Sequence, residues 1–326
     1  MKRFLAVLAI LASIGVVLWA EGPREEVDLT VVFAQSAIGP DLDAWLAGRE
    51  ALFGDITPGT QKAVVWADPV GKGRTELALI YVHGFSATRQ EIAPVPQRVA
   101  AALGANLFLT RLAGHGRGSA AMAQPLVNDW MTDMAEAMAI GRRLGDQVVI
   151  IGTSTGGTLA VLAVFDAGLK QDLAGVVLVS PNFGVNSVLA PLLTMPFARQ
   201  ILPVLAGQER GFEPVNAANA TFWTTKYPTV SLLPMAALVK AAVALPFETA
   251  GVPALVFISP ADQVVDPAKT RAIVARWGAT NELVEIGLGI GDDTYSHVLA
   301  GDILSPGRTE MVVEKMTHWI RTAVRG

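Results

Sequence analysis

The chain has 326 residues, of which 52% are hydrophobic and only 17% are charged, and it contains no cysteine. The absence of cysteine excludes disulfides, a cysteine nucleophile, thiolate metal sites and a lipid attached through an N-terminal cysteine. The net charge is −4, from 25 basic and 29 acidic residues, and argues against nucleic-acid binding because phosphate recognition needs a cationic surface.

Residues 1–26 have the composition of a targeting or anchoring segment with its linker. Lys2 and Arg3 precede an uncharged apolar run, residues 4–20, and a polar stretch follows it. These are the parts of a secretory signal, and the run also reaches the lower limit, about 17 residues, of a membrane-spanning helix. A cleaved signal peptide and an uncleaved membrane anchor both remain open. Either one predicts export across the cytoplasmic membrane, to a periplasmic or extracellular location or to an anchored position outside.

Short apolar runs alternate with helical patterns through the rest of the chain, which we expect to be one domain, residues 27–326. The predicted strands are Lys62–Ala67, Thr75–His83, Asn106–Leu112, Gln147–Gly152, Leu173–Ser180, Ala254–Ser259 and Glu282–Ile286. Several are almost continuously apolar, which is typical of strands buried on both faces. The alternation predicts an α/β fold with a mostly parallel sheet covered by helices on both faces.

Three helices have clear terminal signals. Asn128 is placed to cap a helix that runs to about Leu144, and its charges suit the helix dipole. Two further helices, Pro267–Trp277 and Pro306–Val324, each have a proline near the start and apolar residues at helical spacing.

Residues at about 183–250 interrupt this alternation. They contain seven prolines and a cluster of aromatic residues. A structureless loop of this length is implausible inside a compact domain. We therefore expect a helical subdomain inserted between two strands.

The segment Gly152–Gly156 has the pattern Gly-x-Ser-x-Gly directly between a predicted strand and a helical pattern. A serine on such a turn projects from the sheet, while Gly152 and Gly156 relieve crowding around strained backbone. The N-terminus of the following helix stabilises developing negative charge. The pattern predicts that Ser154 is a nucleophile.

A serine nucleophile needs a base, and the chain has four histidines. On this type of turn the partners follow the serine in the order acid, then histidine, which disfavours His83 and His115. His318 lies in an amphipathic helical pattern. His297 follows a loop rich in glycine and aspartate just past a predicted strand, and it is the predicted base.

The acid is expected at the end of a strand between the serine and the histidine. Asp262 meets this condition and would orient the imidazole of His297. Asp266 precedes a proline and is expected to cap the next helix. Asp292 and Asp293 are closer to the histidine in sequence but are expected to be turn residues.

A tetrahedral intermediate also needs N–H donors for its oxyanion. One is expected from the amide of Thr155 and the other from the amide of Phe85, in the loop after the strand that precedes His83. Gly84 lets the backbone approach the substrate, and His83 is expected to orient this loop without carrying protons.

Five motifs in this order resemble the α/β-hydrolase superfamily. They are His83-Gly84-Phe85, Leu112–Gly118, Gly152–Gly156, Ser259–Asp262 and Ser296-His297. The pattern is similar to lid-bearing esterases related to monoacylglycerol lipases and to hydrolases of the serine aminopeptidase S33 type. The resemblance implies that the insertion at 183–250 is a lid over an acyl pocket. Thr153 and Thr155 replace the residues frequent beside the serine in this family, so substrate preference does not transfer.

The function expected from the sequence is hydrolysis of carboxylic esters through an acyl-enzyme, with a short or medium acyl chain or a monoacylglycerol-like substrate. An S33-type aminopeptidase, an acyltransferase and a non-catalytic membrane-tethered binding protein remain alternatives. No metal or cofactor is expected, because no zinc motif, phosphate loop or dinucleotide fingerprint occurs. The expected partner is a small apolar ester, with membrane contact through the N-terminal segment if it is retained. Oligomeric state is not encoded in any motif.

Overall fold

Seven strands form one mixed sheet in the computed structural model, which describes residues 2–31 and 33–324. Nine strands are β1 Ala63–Val65, β2 Thr75–Val82, β3 Asn106–Leu109, β4 Gly145–Thr153, β5 Leu173–Val179, β6 Glu209–Gly211, β7 Lys226–Pro228, β8 Ala254–Ile258 and β9 Asn281–Glu285. The order in the large sheet is β1-β3-β2-β4-β5-β8-β9. Only β1 runs antiparallel to its neighbour, while the other pairings are parallel. The mostly parallel α/β sheet expected from the apolar runs is confirmed.

Helices cover both faces of the sheet. The helices of the described residues are α1 Lys2–Glu21, α2 Leu42–Glu50, α3 Val95–Leu103, α4 Val127–Leu144, α5 Thr155–Phe165, α6 Ala198–Ala206, α7 Ala217–Phe222, α8 Leu232–Val243, α9 Pro267–Val274 and α10 Thr309–Trp319. Of these, α4 and α5 pack on one face of the sheet, and α3 and α10 pack on the other. Alternate residues of β2 enter two separate cores: Ile80 faces α4 and α5, whereas Leu79 faces α3 and α10. Successive side chains of a strand point to opposite faces of the sheet, and both faces are covered here. The central strands are therefore apolar at nearly every position.

The ends of all three predicted helices differ from the structure, and the one predicted as Pro267–Trp277 ends at Val274. Asn128 does not cap α4: the helix begins at Val127 with Leu126 in the capping position, and the side chain of Asp129 accepts the N–H of Leu126 at 2.8 Å. The amide of Asn128 instead donates to the carbonyl of Thr30. At the C-terminus, α10 is preceded by a 3₁₀ turn and followed by a π turn, so the predicted 306–324 helix is three consecutive pieces.

The insertion between β5 and β8 is only partly helical. It contains α6, α7 and α8, and also the hairpin of β6 and β7, which the apolar pattern did not predict. Its aromatic residues divide between two environments. Phe183 and Phe247 are buried in the core shared with α5 and α8, whereas Trp223 packs toward the other core.

The segment after α1 lies against the insertion. The N–H of Phe197 donates to the carbonyl of Pro23 at 2.7 Å, and Arg199 pairs with Glu25 at 2.5 Å. Among the residues described, no helix combines the length and apolarity needed to cross a membrane. The signal or anchor therefore stays a prediction.

The loops after β2 and β4 leave the sheet side by side. From β2 the chain moves to β3 on one side, and β4 then pairs with the opposite edge of β2. Val82 at the end of β2 is in register with Gly152 near the end of β4. Ligand sites in parallel sheets form outside the carboxyl ends of strands where the order reverses in this way.

Candidate active site

Ser154 occupies a strained turn between β4 and α5. Its backbone angles are φ 51° and ψ −116°, a conformation that non-glycine residues adopt at a cost of about 1–3 kcal/mol. A side chain at Gly156 would collide with the carbonyl of Val82, and one at Gly152 would lie 2.5 Å from the carbonyl of Gly156. Both glycines are thus required by close backbone packing, and the strand-turn-helix placement expected of Ser154 is present.

His297 and Asp262 form a buried pair. Nδ1 of the imidazole lies 2.8 Å from Oδ2 of the carboxylate, and the two residues are 8% and 3% exposed. The other oxygen of Asp262 accepts the N–H groups of Val264 and Val265 at 2.8 and 2.9 Å. These amides fix the carboxylate, and the carboxylate fixes the imidazole.

The electrostatics of His297 favour its protonated form. Burial disfavours the imidazolium, but the charge and hydrogen bond of Asp262, with smaller contributions from Glu91 and Asp293, raise the pKa of His297 above its ordinary value. The ring therefore takes up a proton more readily than a free histidine. That property suits a general base that must be protonated during a reaction.

Asp293 positions the loop that carries His297. One carboxylate oxygen accepts the N–H groups of His297 and Val298, each at 2.9 Å, and the other accepts the N–H of Tyr295 at 3.1 Å. Asp292 accepts the N–H of Gly289 at 2.9 Å. Both aspartates are turn residues, as their sequence context predicts, and Asp266 caps α9 by accepting from the N–H of Ala268.

His83 orients the loop after β2. Its Nε2 accepts the N–H of Leu112 at 3.1 Å, so the ring proton is on Nδ1, which donates to the carbonyl of Gly84 at 2.9 Å. Burial lowers the pKa of His83 well below its ordinary value, which keeps the ring neutral. Because the peptide is planar and trans, the N–H of Phe85 points away from the bound Gly84 carbonyl.

The amides of Phe85 and Thr155 are available to a substrate. Neither N–H donates to another group within residues 2–31 and 33–324. Phe85 lines a cavity together with Ser154, and Thr155 is the first residue of α5, where backbone N–H groups have no partner within the helix.

One cavity of about 440 Å³ brings Ser154, His297 and Phe85 together. The apolar part of its wall comes largely from the insertion and includes Val185, Phe212, Trp223, Tyr227, Leu232 and Met235. The polar part of the wall includes Asn182, Glu91 and Asp293, and also the charged residues Arg210 and Glu213. An apolar cavity with a few convergent polar groups is typical of a small-molecule site.

Sequence reasoning missed Glu91 and Tyr81. Glu91 is 2% exposed and lies on the cavity wall, and its Oε2 accepts both the N–H of Gly84 and the hydroxyl of Tyr81. The signal available in the sequence was the hydroxyl of Tyr81 among the aliphatic residues at 77–82 of β2, because a buried hydroxyl requires a partner. No motif indicated which residue would supply it.

His115 and His318 lie outside the cavity lining. His115 packs against the rings of His83 and Phe85, and burial lowers its pKa to about 4. His318 is exposed on α10. In the part of the chain that the structure describes, no three histidine or carboxylate side chains are grouped so that they could hold a metal ion.

Comparisons with known proteins agree with this architecture. A model of the family described as "Serine aminopeptidase, S33" matches residues 73–287, a range that contains Ser154 and Asp262 and ends before His297. No curated protein sequence matches the chain.

Several solved structures share the fold at low sequence identity. A structure of LipS and LipT, two metagenome-derived lipolytic enzymes, has a TM-score of 0.65 and 22% identity, over 82% of this chain and 99% of that chain. A soluble variant of the monoglyceride lipase of Saccharomyces cerevisiae, in complex with a substrate analogue, has a TM-score of 0.60 and 12% identity, over 82% and 93%. The monoacylglycerol lipase of Paleococcus ferrophilus has a TM-score of 0.55 and 16% identity, over 79% of this chain and 97% of that chain. At these identities the likeness establishes the fold alone.

Proposed function

Because the chain belongs to the serine aminopeptidase S33 family and has an α/β-hydrolase fold, we propose that it is a serine hydrolase that cleaves carboxylic esters through an acyl-enzyme. The observation that carries the proposal is the buried pair of His297 and Asp262, in which the histidine lines the same cavity as Ser154 on its strained turn. Ester hydrolysis needs a nucleophile, a base and an orienting acid in this arrangement.

In the proposed reaction, Oγ of Ser154 attacks the ester carbonyl carbon and its proton passes to Nε2 of His297. Asp262 holds Nδ1 and stabilises the imidazolium, while the N–H groups of Phe85 and Thr155 bind the oxyanion. Collapse breaks the bond to the alcohol oxygen, which takes the proton from His297. A water molecule, deprotonated by the same imidazole, then attacks the acyl-enzyme, and collapse releases the acid and restores the Ser154 hydroxyl.

The cavity favours an apolar acyl group. Its wall is formed mainly by aliphatic and aromatic side chains of the insertion, such as Trp223 and Met235, and its volume of about 440 Å³ is in the range of small-molecule pockets. We expect a short or medium acyl chain or a monoacylglycerol-like ester. The monoacylglycerol lipases among the structural neighbours support this substrate class. On this proposal the insertion acts as a lid.

A second candidate is an aminopeptidase acting at an N-terminal residue. The carboxylates of Glu91 and Glu213 on the cavity wall favour it, because a substrate ammonium group requires an anionic partner. Turnover of aminoacyl amides, compared with that of esters of the same size, separates the two functions.

The N-terminal segment supports a proposal about location. Its basic start and apolar run are those of an export signal, so we expect the domain outside the cytoplasmic membrane, either released or anchored. Mass spectrometry of the mature chain decides between cleavage and retention, and recovery of the full-length protein in the cytoplasm contradicts export.

The proposed chemistry is tested with purified protein, p-nitrophenyl butyrate and a fluorophosphonate probe. Ser154→Ala should lose ester hydrolysis and labelling while remaining folded. Ser231→Ala is the matched control, since Ser231 has a buried hydroxyl without a partner among the described residues. It should behave as wild type. Full activity in Ser154→Ala overturns the proposal, and absence of labelling in the wild type would favour a binding protein.

A further inference from the structure

Glu91 binds the backbone of the loop that presents Phe85. Its Oε2 accepts the N–H of Gly84 at 2.7 Å and the hydroxyl of Tyr81 at 3.1 Å, and the side chain is almost fully buried. A carboxylate that accepts an amide N–H makes a hydrogen bond about twice as strong as a neutral acceptor does. The proposed catalytic steps give this carboxylate no proton to carry.

Tyr81 connects the same carboxylate to the turn that holds the nucleophile. Its hydroxyl lies 3.3 Å from Oγ1 of Thr153, the residue before Ser154. When Glu91 is ionised its carboxylate only accepts hydrogen bonds, so Tyr81 then donates to Glu91, and the Tyr81 oxygen receives the proton of Thr153. A buried chain of hydrogen bonds therefore joins the Gly84 amide to the end of β4.

The two peptides that flank Gly84 are each held by a side chain. Glu91 holds the N–H on one side, and His83 holds the carbonyl on the other, at 2.7 and 2.9 Å. These two contacts fix the plane of the following peptide, whose N–H belongs to Phe85. A Cβ built on Gly84 would lie 2.7 Å from Oε1 of Glu91 and 3.0 Å from Cβ of Ser154, so the carboxylate and the serine approach each other across the glycine.

From these contacts we infer that Glu91 is a positioning residue of the proposed hydrolase. Its carboxylate fixes the Gly84 amide, and through it the direction of the Phe85 N–H toward the oxyanion. The inference rests on the proposed function, since it assigns the residue a role in the same reaction.

The charge of Glu91 also acts on the base. Burial raises the pKa of Glu91 to about 7, against the opposing effects of the Gly84 amide, the nearby His297 and the Tyr81 hydroxyl. The carboxylates that raise the pKa of His297 are those of Asp262, Glu91 and Asp293. Removing the charge of Glu91 should therefore lower the pKa of His297, whereas a purely structural role for Glu91 would leave it unchanged.

The test measures kcat, KM and the pH profile of p-nitrophenyl butyrate hydrolysis in Glu91→Ala, Glu91→Gln and Tyr81→Phe. Glu91→Ala should lower kcat by about 10²-fold, the effect of losing one oxyanion donor, with KM within about threefold. Its affinity for a trifluoromethyl ketone should fall in the same proportion, because that inhibitor forms a tetrahedral oxyanion with the serine. Glu91→Gln keeps an acceptor oxygen and should restore part of kcat, with the acid limb of kcat/KM displaced to lower pH. Tyr81→Phe should give an intermediate loss of kcat.

Glu136→Gln is the matched control, because Glu136 is about as buried as Glu91 but is bonded to Lys62, and neither Glu136 nor Lys62 lines the cavity. It should change stability without changing kcat or the pH profile. If Glu91→Ala does not fold, the same kinetic measurements on Glu91→Gln and Tyr81→Phe test the inference. If these variants have the wild-type kcat and an unshifted acid limb of kcat/KM, the inference about Glu91 is wrong, but the proposal that the protein hydrolyses esters is unaffected. Failure of the proposed function is distinct, since the wild type would then neither hydrolyse esters nor react with the fluorophosphonate.

Discussion

Nδ1 of His297 and Oδ2 of Asp262 are joined by a buried hydrogen bond of 2.8 Å, and the remaining oxygen of Asp262 is occupied by two backbone amides. The carboxylate of Asp262 is therefore held in one orientation, and the only side chain that it orients through these bonds is that of His297. This relationship determines which nitrogen of His297 is left for the nucleophile.

Asp262→Asn should lower kcat by about 10³–10⁴-fold with little change in KM. The amide cannot stabilise the imidazolium, and it favours the wrong tautomer of His297. Steady-state kinetics with p-nitrophenyl butyrate measure the loss. Asp266→Asn, four residues along, should keep the wild-type kcat because asparagine also caps helices well. Equal activity in the two variants would contradict the assignment of Asp262.

The pH dependence of kcat/KM should report the raised pKa of His297. The base works only when it is neutral, so activity is present above its pKa and is lost as pH falls through it. Because the net effect of burial and the three carboxylates is to raise that pKa, the acid limb should lie above the ordinary value of 6.5. An acid limb below 6.5 in the wild type would show that the carboxylates do not act on the ring as argued.

Trp223→Ala should shift the substrate preference toward longer acyl chains. Trp223 is 8% exposed and forms part of the cavity wall. Each methylene of the substrate that becomes newly buried is worth about 0.8 kcal/mol, or about fourfold in kcat/KM. The variant should also lose about 3–5 kcal/mol of unfolding free energy. A panel of p-nitrophenyl esters of increasing length measures the shift.

Two further variants serve as controls for the predicted effect of Trp223→Ala on chain-length preference. Val185→Phe narrows the same cavity and should shift the preference toward shorter chains. Val204→Ala removes an exposed apolar side chain of α6, outside the cavity lining, and should leave the preference unchanged. If chain-length preference is the same in all three variants, the cavity does not hold the acyl group.

Lys62→Met should lower the free energy of unfolding by about 3–5 kcal/mol in urea denaturation. The ammonium group lies 3.1 Å from Asp133 and 2.5 Å from Glu136, and all three side chains are largely buried. Removing it leaves the buried carboxylate of Asp133 without a cation and leaves Glu136 only the exposed guanidinium of Arg49, at 3.9 Å. Lys72→Met removes the exposed partner of Asp43 and should cost at most about 1 kcal/mol. Similar losses in the two variants would contradict the role of burial.

The sheet was predictable because burial on both faces leaves a strong local signal. Runs such as Val148–Ile151 contain only aliphatic residues. The Gly-x-Ser-x-Gly motif around Ser154 comes directly after this run in the sequence, so its position at the end of a strand was also predictable. The hairpin of β6 and β7 gave no such signal, since each strand has three residues and none of those in β6 is buried. Short exposed strands have no hydrophobic alternation from which they can be recognised.

The candidate site was only partly predictable for a different physical reason. The partners of His297 could be ordered along the chain because strand ends meet at one edge of a parallel sheet. The role of Glu91 depends on a contact with a backbone amide, and no side-chain pattern encodes that contact. The predicted cap of α4 was wrong because the helix begins before Asn128: Leu126 is in the capping position, Asp129 accepts its N–H from within the first turn, and the amide of Asn128 contacts Thr30 instead.

The register of β2 with β4 has a consequence for how this protein could acquire new substrates. Val82 pairs with Gly152, so the spacing between the serine turn and the donor loop is set by main-chain pairing and not by the side chains around it. The cavity beside Ser154 is lined mostly by a separate stretch of chain between β5 and β8. The insertion nevertheless contacts the loop after β2, since the N–H of Thr224 donates to the carbonyl of Ser86 at 2.7 Å and the ring of Tyr227 packs against that of Phe85. An engineered insertion could therefore reshape the cavity while the sheet keeps its dimensions, provided that it retains these two contacts.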